Sequence, residues 1–428
     1  MDLNSFEYGF LSEMISIPSV GGDPEPGCPY GKTSREVLAR FLKTADDNGF
    51  RTGTIDDKVG YLEFGKGKRL IGIVCHLDVV PAGKGWSFDP FKLTESEGRL
   101  YGRGIVDDKG PACASFFAMK RLMDSGFDPD CRIRLILGTD EERTCDCVET
   151  YAAKGEIPDF AITPDGEYPV IFAEKGILHI TIKGSGNSSI TAAGGDAANM
   201  VPNYCELTHG GMTYEATGKI SHASKPDGGI NAITELISTL PGDVIELSGM
   251  LRFINDSIKD KDAQTFTGCD IEDISGIITY NPAILKIGPD EESLVIDIRY
   301  PVTSDKDEII SHIASDAGRY GLTVIENNYM APLFKDSESR EITVLTKVWS
   351  DNISLFDGYD ESYKDKYLKP IAIGGGTYAR HMPNTIAFGI QTPWSEDQCH
   401  RSDESISIND LKANIKVLTE AIIALSAL

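Results

Sequence analysis

Hydrophobic and polar positions along the chain follow two periods. Apolar residues at helical spacing predict helices over residues 3–18, 32–48 and 110–125. Continuous apolar runs at 70–75 and 132–138 are typical of buried strands. Because helices and buried strands alternate through this part of the chain, the pattern predicts βαβ units and an α/β fold.

The pattern changes after residue 175. Residues 177–183 and 293–299 alternate as half-exposed strands do, and helices are expected near 229–240 and 305–319, so this part is predicted to be α+β. The α/β pattern returns after residue 331, with a helix at 338–351, a strand at 385–389 and a helix at 408–427. We therefore predict a discontinuous domain formed by residues 1–175 and 331–428, with a second domain inserted at 176–330.

The composition and net charge of the chain make some classes of binding partner unfavourable. The chain has 66 acidic residues and 41 Lys and Arg residues, so its net charge is −25. Because nucleic acids and anionic membranes are also negatively charged, the chain is a poor partner for either. No apolar run reaches the roughly 18–20 residues of a membrane-spanning helix, and the first residues lack the basic region of a secretory signal. The nine cysteines are scattered, which favours a reduced, cytoplasmic protein over a disulfide framework.

Histidines and acids gather directly after the predicted strands. In extended chain, His76 and Asp78 share one face at the carboxyl end of a strand, where α/β folds place ligands. The pair Asp107-Asp108 precedes a helix, and helix capping explains only one of these two acids. The other members of the set are Glu141, Glu142, Asp165 and His400.

Each of these clusters taken alone is compatible with a solvated turn, and His76 alone with an ordinary core or surface histidine. Three successive acids at 140–142 repel one another unless a cation or solvent compensates them. Mixed imidazole and carboxylate ligands suit zinc, manganese or cobalt. Together the clusters predict a metal centre, and five ligands with one shared carboxylate would make a two-metal centre that activates water for hydrolysis.

The ordered motifs resemble the M20 family of metallopeptidases, and within it the bacterial PepV-type dipeptidases, which are relatives of the carnosinases. The resemblance covers nearly the whole chain. The motifs are His-x-Asp-Val-Val-Pro at 76–81, Gly-Arg-Gly-x-x-Asp-Asp-Lys-Gly at 102–110, Gly-Thr-Asp-Glu-Glu at 138–142, Thr-Pro-Asp at 163–165 and the late His400, with further similar segments at 198–202, 218–224, 297–301 and 374–380.

This resemblance implies a zinc-peptidase-like catalytic domain, with a mixed sheet flanked by helices, and an inserted α+β lid domain. It assigns His76 and Asp165 to one metal ion and Glu142 and His400 to the other. Asp107 would bridge the two ions and precede a cis peptide bond. The metal ions are expected to be zinc, with manganese or cobalt as alternatives.

The resemblance also assigns the residues that act on the substrate. Asp78 would orient His76, and Glu141 would be the general base that activates a metal-bridging water. From the lid, His222 would stabilise the oxyanion. Asn199, Arg299 and the backbone at Gly375 would hold the substrate, Arg299 by pairing with its terminal carboxylate.

The sequence therefore predicts a monomeric, metal-dependent dipeptidase that hydrolyses unblocked dipeptides. One alternative is an N-acyl-amino-acid deacylase of the succinyl-diaminopimelate desuccinylase or acetylornithine deacetylase type. Two others are a non-catalytic binding protein on the same fold and a plain α/β protein with acidic turns, which predicts no metal. The segment 143–147 departs from PepV-type sequences, which leaves the substrate preference open.

Overall fold

A computed structural model describes residues 3–269 and 272–428 of the chain. Its contacts divide the chain into two compact units. Unit 1 comprises Met1–Phe172, Lys335–Ile371 and Thr377–Leu428, and unit 2 comprises Ala173–Phe334 and Ala372–Gly376. The predicted α/β class, with a mixed sheet and flanking helices, is confirmed. The domain bounds given by the sequence pattern stay a prediction.

The helices and strands follow one another in three stretches of chain. The first contains α1 (Ser5–Ser16), α2 (Lys32–Asp47), β1 (Arg51–Ile55), β2 (Val59–Gly65), β3 (Leu70–His76), β4 (Thr94–Ser96), β5 (Arg99–Tyr101), α3 (Lys109–Asp124), β6 (Arg132–Gly138), α4 (Asp146–Lys154), β7 (Phe160–Thr163) and β8 (Ile171–Glu174). The second contains β9 (Gly176–Ser185), β10 (Ile190–Gly194), β11 (Tyr204–His209), β12 (Met212–Thr217), α5 (Ala232–Thr239), α6 (Gly242–Ile245), α7 (Gly249–Phe253), α8 (Ala263–Thr267), β13 (Glu272–Asp273), β14 (Gly276–Ile277), β15 (Thr279–Ile287), β16 (Glu291–Tyr300), α9 (Lys306–Gly318), β17 (Thr323–Met330) and β18 (Leu333–Phe334). The third contains α10 (Arg340–Asn352), α11 (Tyr363–Tyr367), β19 (Ile371–Ile373), β20 (Thr385–Ala387), β21 (Ser405–Ser407) and α12 (Ile408–Ser426).

The sheet of unit 1 places β1, β2, β6, β3, β7, β20 and β8 side by side in that order. Strands β6, β3, β7 and β20 are parallel, whereas β1 and β2 pair antiparallel at one side. Every residue of β3 is buried, as its continuous apolar sequence predicts for a central parallel strand. The carboxyl ends of the parallel strands therefore meet at one edge of the sheet.

Helix α3 lies in the core of unit 1 and packs against α1 and α12. Phe116 packs its ring among those of Phe10, Phe41 and Phe50, with centroids 5.2–5.5 Å away. The helix begins directly after the Asp107-Asp108 pair, and Gly110 is required there because a Cβ would lie 1.9 Å from the carbonyl oxygen of Ile105. Tight packing thus fixes the segment that carries the two acids.

Unit 2 contains a seven-stranded sheet with the order β12, β11, β10, β15, β16, β9 and β17. Helices α5 and α9 bury apolar residues in its core, among them Leu236, Ile237 and Ile313. Within the described parts of both units, none of the helices combines the length and the apolar character that crossing a membrane demands.

Candidate active site

The predicted acids and histidines of unit 1 meet at the carboxyl edge of its parallel strands. His76 is the last residue of β3 and lies in register with Gly138, the last residue of β6. The turn that follows β6 carries Glu141 and Glu142, and Asp165 comes two residues after the end of β7. This edge is where open α/β sheets place their ligands.

Asp107 lies between the two histidines. Its Oδ1 is 3.0 Å from Nε2 of His76, and its Oδ2 is 3.0 Å from Nε2 of His400. Each oxygen of one carboxylate therefore faces a different imidazole. The Asp107–Asp108 peptide bond is cis.

The other acids divide between the two histidines. Oε2 of Glu142 is 3.0 Å from Nε2 of His400, and Oδ2 of Asp165 is 3.8 Å from Nε2 of His76. Oε2 of Glu141 is also 3.8 Å from Nε2 of His76. His76 is completely buried, whereas the His400 side chain is 56% exposed, so one side of the cluster is open to solvent.

Asp78 is buried behind these groups. Its Oδ1 accepts the backbone N–H of Glu141 at 3.1 Å, and its Oδ2 accepts that of Glu142 at 3.0 Å. Nδ1 of His76 lies 3.5 Å from Oδ1 of Asp78 and 3.1 Å from its backbone oxygen. Asp78 thus contacts the ring of His76, and its carboxylate holds the backbone of the turn that carries both glutamates.

The electrostatics of the cluster reflect burial of several like charges. Burial and the neighbouring carboxylates raise the pKa of Glu141 to about 8 and that of Asp165 to about 7, against the opposing effect of His76. Burial alone would also raise the pKa of Asp107, but hydrogen bonds with His400 and His76 outweigh it and lower that pKa. Hydrogen bonds with Asp107 and Glu142 raise the pKa of His400 to about 10. A cation at this position would offset the crowded negative charge.

The donor set fits divalent metal ions. Ligand atoms of His76, Asp107 and Glu142 all lie within 4.8 Å of one another. Oε1 of Glu142 is buried and has no hydrogen-bond partner among the described residues, although buried carboxylate oxygens are usually paired. Imidazole nitrogens combined with carboxylate oxygens suit zinc, manganese and cobalt.

Two further residues support His76 and were not assigned a role from the sequence. Oδ2 of Asp108 accepts the backbone N–H of His76 at 2.8 Å. The ring of Tyr378 meets the imidazole edge-on, with centroids 5.8 Å apart. The doubled acid at 107–108 was the signal for Asp108, because helix capping left one of the two acids unexplained.

The unusual segment 143–147 contributes buried thiols. Sγ of Cys145 lies 3.4 Å from the carbonyl oxygen of Glu141, and Sγ of Cys147 lies 3.2 Å from the hydroxyl of Tyr378. Burial raises the pKa of Cys147 to about 12, so this thiol is neutral near pH 7. Within the described part of the chain, none of the nine cysteines forms a disulfide. The structure therefore gives these two cysteines packing and hydrogen-bonding roles.

The other four predicted site residues lie in unit 2. Asn199 and His222 are neighbours there, because the carbonyl of Asn199 accepts the N–H of Ala223 at 2.8 Å and Met200 forms a β-bridge with His222. Both Asn199 and His222 are exposed. Nδ1 of His222 is 2.7 Å from Oγ of Ser224.

Arg299 is buried and fixed by its neighbours. Its Nε and Nη2 donate to the two oxygens of Asp297 at 2.6 and 2.7 Å, and its Nη1 donates to the carbonyl of Gly374 at 3.1 Å. His179 contacts the same Asp297 at 2.8 Å. At Gly375 a Cβ would meet only Cδ1 of Ile373, at 3.9 Å, so space does not require glycine there.

Comparisons with known proteins agree on one family. The model of the family described as "Peptidase family M20/M25/M40" matches residues 72–424. The protein named "Putative dipeptidase YtjP" from Bacillus subtilis (strain 168) is 31% identical over 457 aligned residues, covering 97% of this chain and 96% of that protein.

Solved structures show the same fold at low identity. Human carnosine dipeptidase 1 superimposes with a TM-score of 0.59 at 14% identity, covering 99% of this chain and 97% of that one. Aminoacylhistidine dipeptidase from Vibrio alginolyticus gives a TM-score of 0.63 at 12% identity, covering 98% and 96%. The family model spans most of the chain, and the motifs that carried the resemblance lie within that span. This chain therefore belongs to peptidase family M20/M25/M40 and is a hydrolase of the peptidase class.

Proposed function

We propose that this protein is a metal-dependent dipeptidase that cleaves the peptide bond of dipeptides with free amino termini. The observation that carries the proposal is the position of Asp107, whose two oxygens face His76 and His400 at equal distances of 3.0 Å. A carboxylate in that position suits a bridge between two cations. The names of the similar proteins support the dipeptide as substrate.

Five residues would hold the metal ions. Asp107 would be shared, His76 and Asp165 would complete one site, and Glu142 and His400 the other, as the distances within the cluster favour. Two bound divalent ions, which we propose to be zinc, would supply Lewis acidity for a water molecule and for the scissile carbonyl. The similarity to a Bacillus subtilis protein described as a dinuclear metal-binding peptidase of the M20 family supports a two-metal site (TM-score 0.55, 10% identity, covering 99% of this chain and 98% of that one).

Glu141 is the proposed general base. It lies beside the metal cluster, its Oε2 is 3.8 Å from Nε2 of His76, and its backbone is held by Asp78. It would take a proton from the attacking water and return it to the leaving amine. Glu142, one residue further on, would serve as a ligand instead, because its Oε2 faces His400.

We also propose that unit 2 supplies the groups that recognise the substrate. His222 would stabilise the oxyanion, and Asn199, Arg299 and the backbone at Gly375 would hold the dipeptide. Asp297 already occupies the Nε–Nη2 edge of Arg299. A substrate carboxylate would therefore pair with the remaining N–H groups of that guanidinium. The domain inserted at 176–330 would then act as a lid.

The cellular context is part of the same proposal. The scattered cysteines, which form no disulfide among the described residues, favour a reducing, cytoplasmic compartment. We further propose a monomer, which light scattering coupled to size-exclusion chromatography would test directly: a mass near 46.6 kDa is expected, and a doubled mass would contradict it.

The activity assay compares two substrate classes in the purified protein. Unblocked dipeptides are tested beside N-acetyl and N-succinyl amino acids, with zinc, manganese or cobalt added and with a chelator as control. Cleavage of the dipeptides that is lost in chelator is the expected result. Cleavage of the acylated substrates alone would replace the dipeptidase by a deacylase, and metal binding without cleavage of either would refute the enzymatic proposal.

A further inference from the structure

A buried carboxylate outside the predicted ligand set accepts hydrogen bonds from the backbone around Asp107. Glu404 is fully buried, and its Oε1 accepts the N–H groups of Val106 at 2.8 Å and Asp107 at 3.2 Å. Its Oε2 accepts the N–H of Gly104 at 3.1 Å and Nη1 of Arg103 at 2.6 Å. Four donors from five consecutive residues therefore converge on a single side chain.

The same residue belongs to the segment that carries His400. Glu404 follows His400 by four residues and immediately precedes β21, which pairs with β5. The backbone N–H of Gly102 donates to the carbonyl of Glu404 at 3.1 Å, so main chain and side chain both join the segments 102–107 and 400–404. These segments carry Asp107 and His400, and Oδ2 of Asp107 is 3.0 Å from Nε2 of His400 at the candidate metal site.

The segment around His400 needs such support. His400 and Asp403 both adopt positive φ angles, of 63° and 57°, a region that non-glycine residues rarely occupy. The carboxylate of Asp403 accepts the N–H and the hydroxyl of Ser87, each at 2.7 Å. Asp403 thus holds the segment by its hydrogen bonds with Ser87, and Glu404 holds it by its hydrogen bonds with residues 103–107.

The charge of Glu404 is compensated inside the protein. Arg103 is 1% exposed, its guanidinium carbon lies 5.1 Å from the ring centroid of Trp86, and its Nη2 donates to the carbonyl of Ala82 at 3.4 Å. Such a buried ion pair is costly to break from one side, because removal of one partner leaves the other charge buried alone. The position of Glu404 is therefore held by its ion pair with Arg103 as well as by the backbone N–H groups.

We propose that Glu404 is a positioning residue for the metal centre: it sets the orientation of the Asp107 carboxylate relative to His400, and with it the spacing of the two metal positions. This inference rests on the proposed metal-dependent function, since it gives Glu404 a purpose only if Asp107 and His400 bind metal. Glu404 is not one of the proposed metal ligands or substrate-binding residues. It acts through the backbone of residues 104–107.

The test compares Glu404→Gln with the control Glu63→Gln in the purified protein. Glu63 is also a buried carboxylate paired with an arginine, Arg134, but it lies within the β2–β6 pair and contacts none of the proposed ligands. In Glu404→Gln one oxygen becomes an NH₂ group facing a donor. We expect zinc affinity in competition titrations to fall about 10–100-fold, as for loss of an outer-shell partner, whereas Glu63→Gln keeps the wild-type affinity.

Two further measurements distinguish a specific effect of Glu404 on the metal site from a general loss of stability. With cobalt bound, the visible absorption spectrum of Glu404→Gln should differ from that of the wild type, and kcat should fall with little change in KM. The variant Glu404→Asp, which keeps the charge but shortens the side chain, should also lose metal affinity. Wild-type affinity and spectrum in Glu404→Gln, or an equal loss in Glu63→Gln, would overturn the proposal.

A measurement on the wild type covers the case in which both Glu404 variants fail to fold. In the metal-free protein the amide hydrogens of Gly104, Val106 and Asp107 should exchange slowly with deuterium, because Glu404 holds them without any metal. Fast exchange there would overturn the proposal. If the wild type itself binds no metal, the proposed function fails instead, so the two failures are distinguishable.

Discussion

Replacement of Asp78 by Asn tests whether one buried carboxylate organises both sides of the candidate site. Asp78 accepts the N–H groups of Glu141 and Glu142 through different oxygens, and its Oδ1 lies beside the ring of His76. Asparagine keeps the shape and one acceptor oxygen, but its NH₂ group must face one of the backbone donors. The perturbation is therefore confined to charge and hydrogen bonding.

The magnitude follows from the two bonds. Loss of one charge-assisted hydrogen bond costs about 1.5–3 kcal/mol, and the part-buried N–H left unpaired adds to this cost. The glutamate turn can avoid that cost by shifting, which moves Glu141 and Glu142 together. We expect metal affinity to fall about 10–100-fold. We expect kcat to fall by at least about 10²-fold, because a displacement of the order of 1 Å is enough for that loss.

The assay measures zinc affinity by competition with a chromophoric chelator and kcat on the preferred dipeptide. Asp140→Asn is the matched control. Asp140 is buried in the same turn, but among the described residues its side chain accepts only the hydroxyl of Thr144. Metal affinity and kcat within threefold of wild type in Asp78→Asn would refute the reasoning, as would equal losses in Asp140→Asn.

Three further predictions concern single residues. Glu141→Ala should lower kcat about 10²–10⁴-fold with metal content by elemental analysis unchanged; loss of metal would show that Glu141 is a ligand. His222→Ala should lower kcat about 10²–10³-fold, and an unchanged kcat would remove unit 2 from the mechanism. Burial alone would raise the pKa of Asp297, but hydrogen bonds from His179 and Arg299 outweigh it and lower the pKa below 3.8. The contribution of the ionised Asp297 to stability should therefore be complete above about pH 4 and disappear as the pH falls through the folded-state pKa. The difference in Tm between wild type and Asp297→Asn should shrink over that pH range. A difference in Tm that stays constant with pH would contradict this prediction.

The elements with a strong period could be predicted from the sequence. The strand at 132–138 has the predicted bounds, and the helices predicted at 32–48 and 408–427 end one residue earlier, at 47 and 426. Each of these segments buries a continuous run or a defined face, which produces the pattern. Strand β12 shows the opposite case: Met212, Tyr214 and Ala216 alternate with polar residues, but this six-residue strand at the end of the sheet has no buried residue and was not predicted.

The candidate ligands could be predicted for a related reason. His76, Asp107 and Glu142 are titratable side chains at the ends of strands or beside the start of a helix. Burying a charge at such positions costs free energy, so titratable residues there indicate a functional site. Asn199 and His222 carry no such signal. Both are exposed in unit 2, and the resemblance to a family was needed to single them out.

The residues that hold the ligands were harder to predict, because their partners are backbone groups. Glu404 stands within the cluster that contains His400, and its acceptance of three backbone N–H groups depends on β21 pairing with β5 and bringing residue 404 against residues 104–107. Asp78 similarly accepts two N–H groups from a turn more than sixty residues away in sequence. A backbone N–H is the same at every position, so no sequence pattern records such a bond. The geometry of the candidate metal site thus depends on contacts that only the folded chain reveals, and substitutions at Asp78 and Glu404 test that dependence without altering a single proposed ligand.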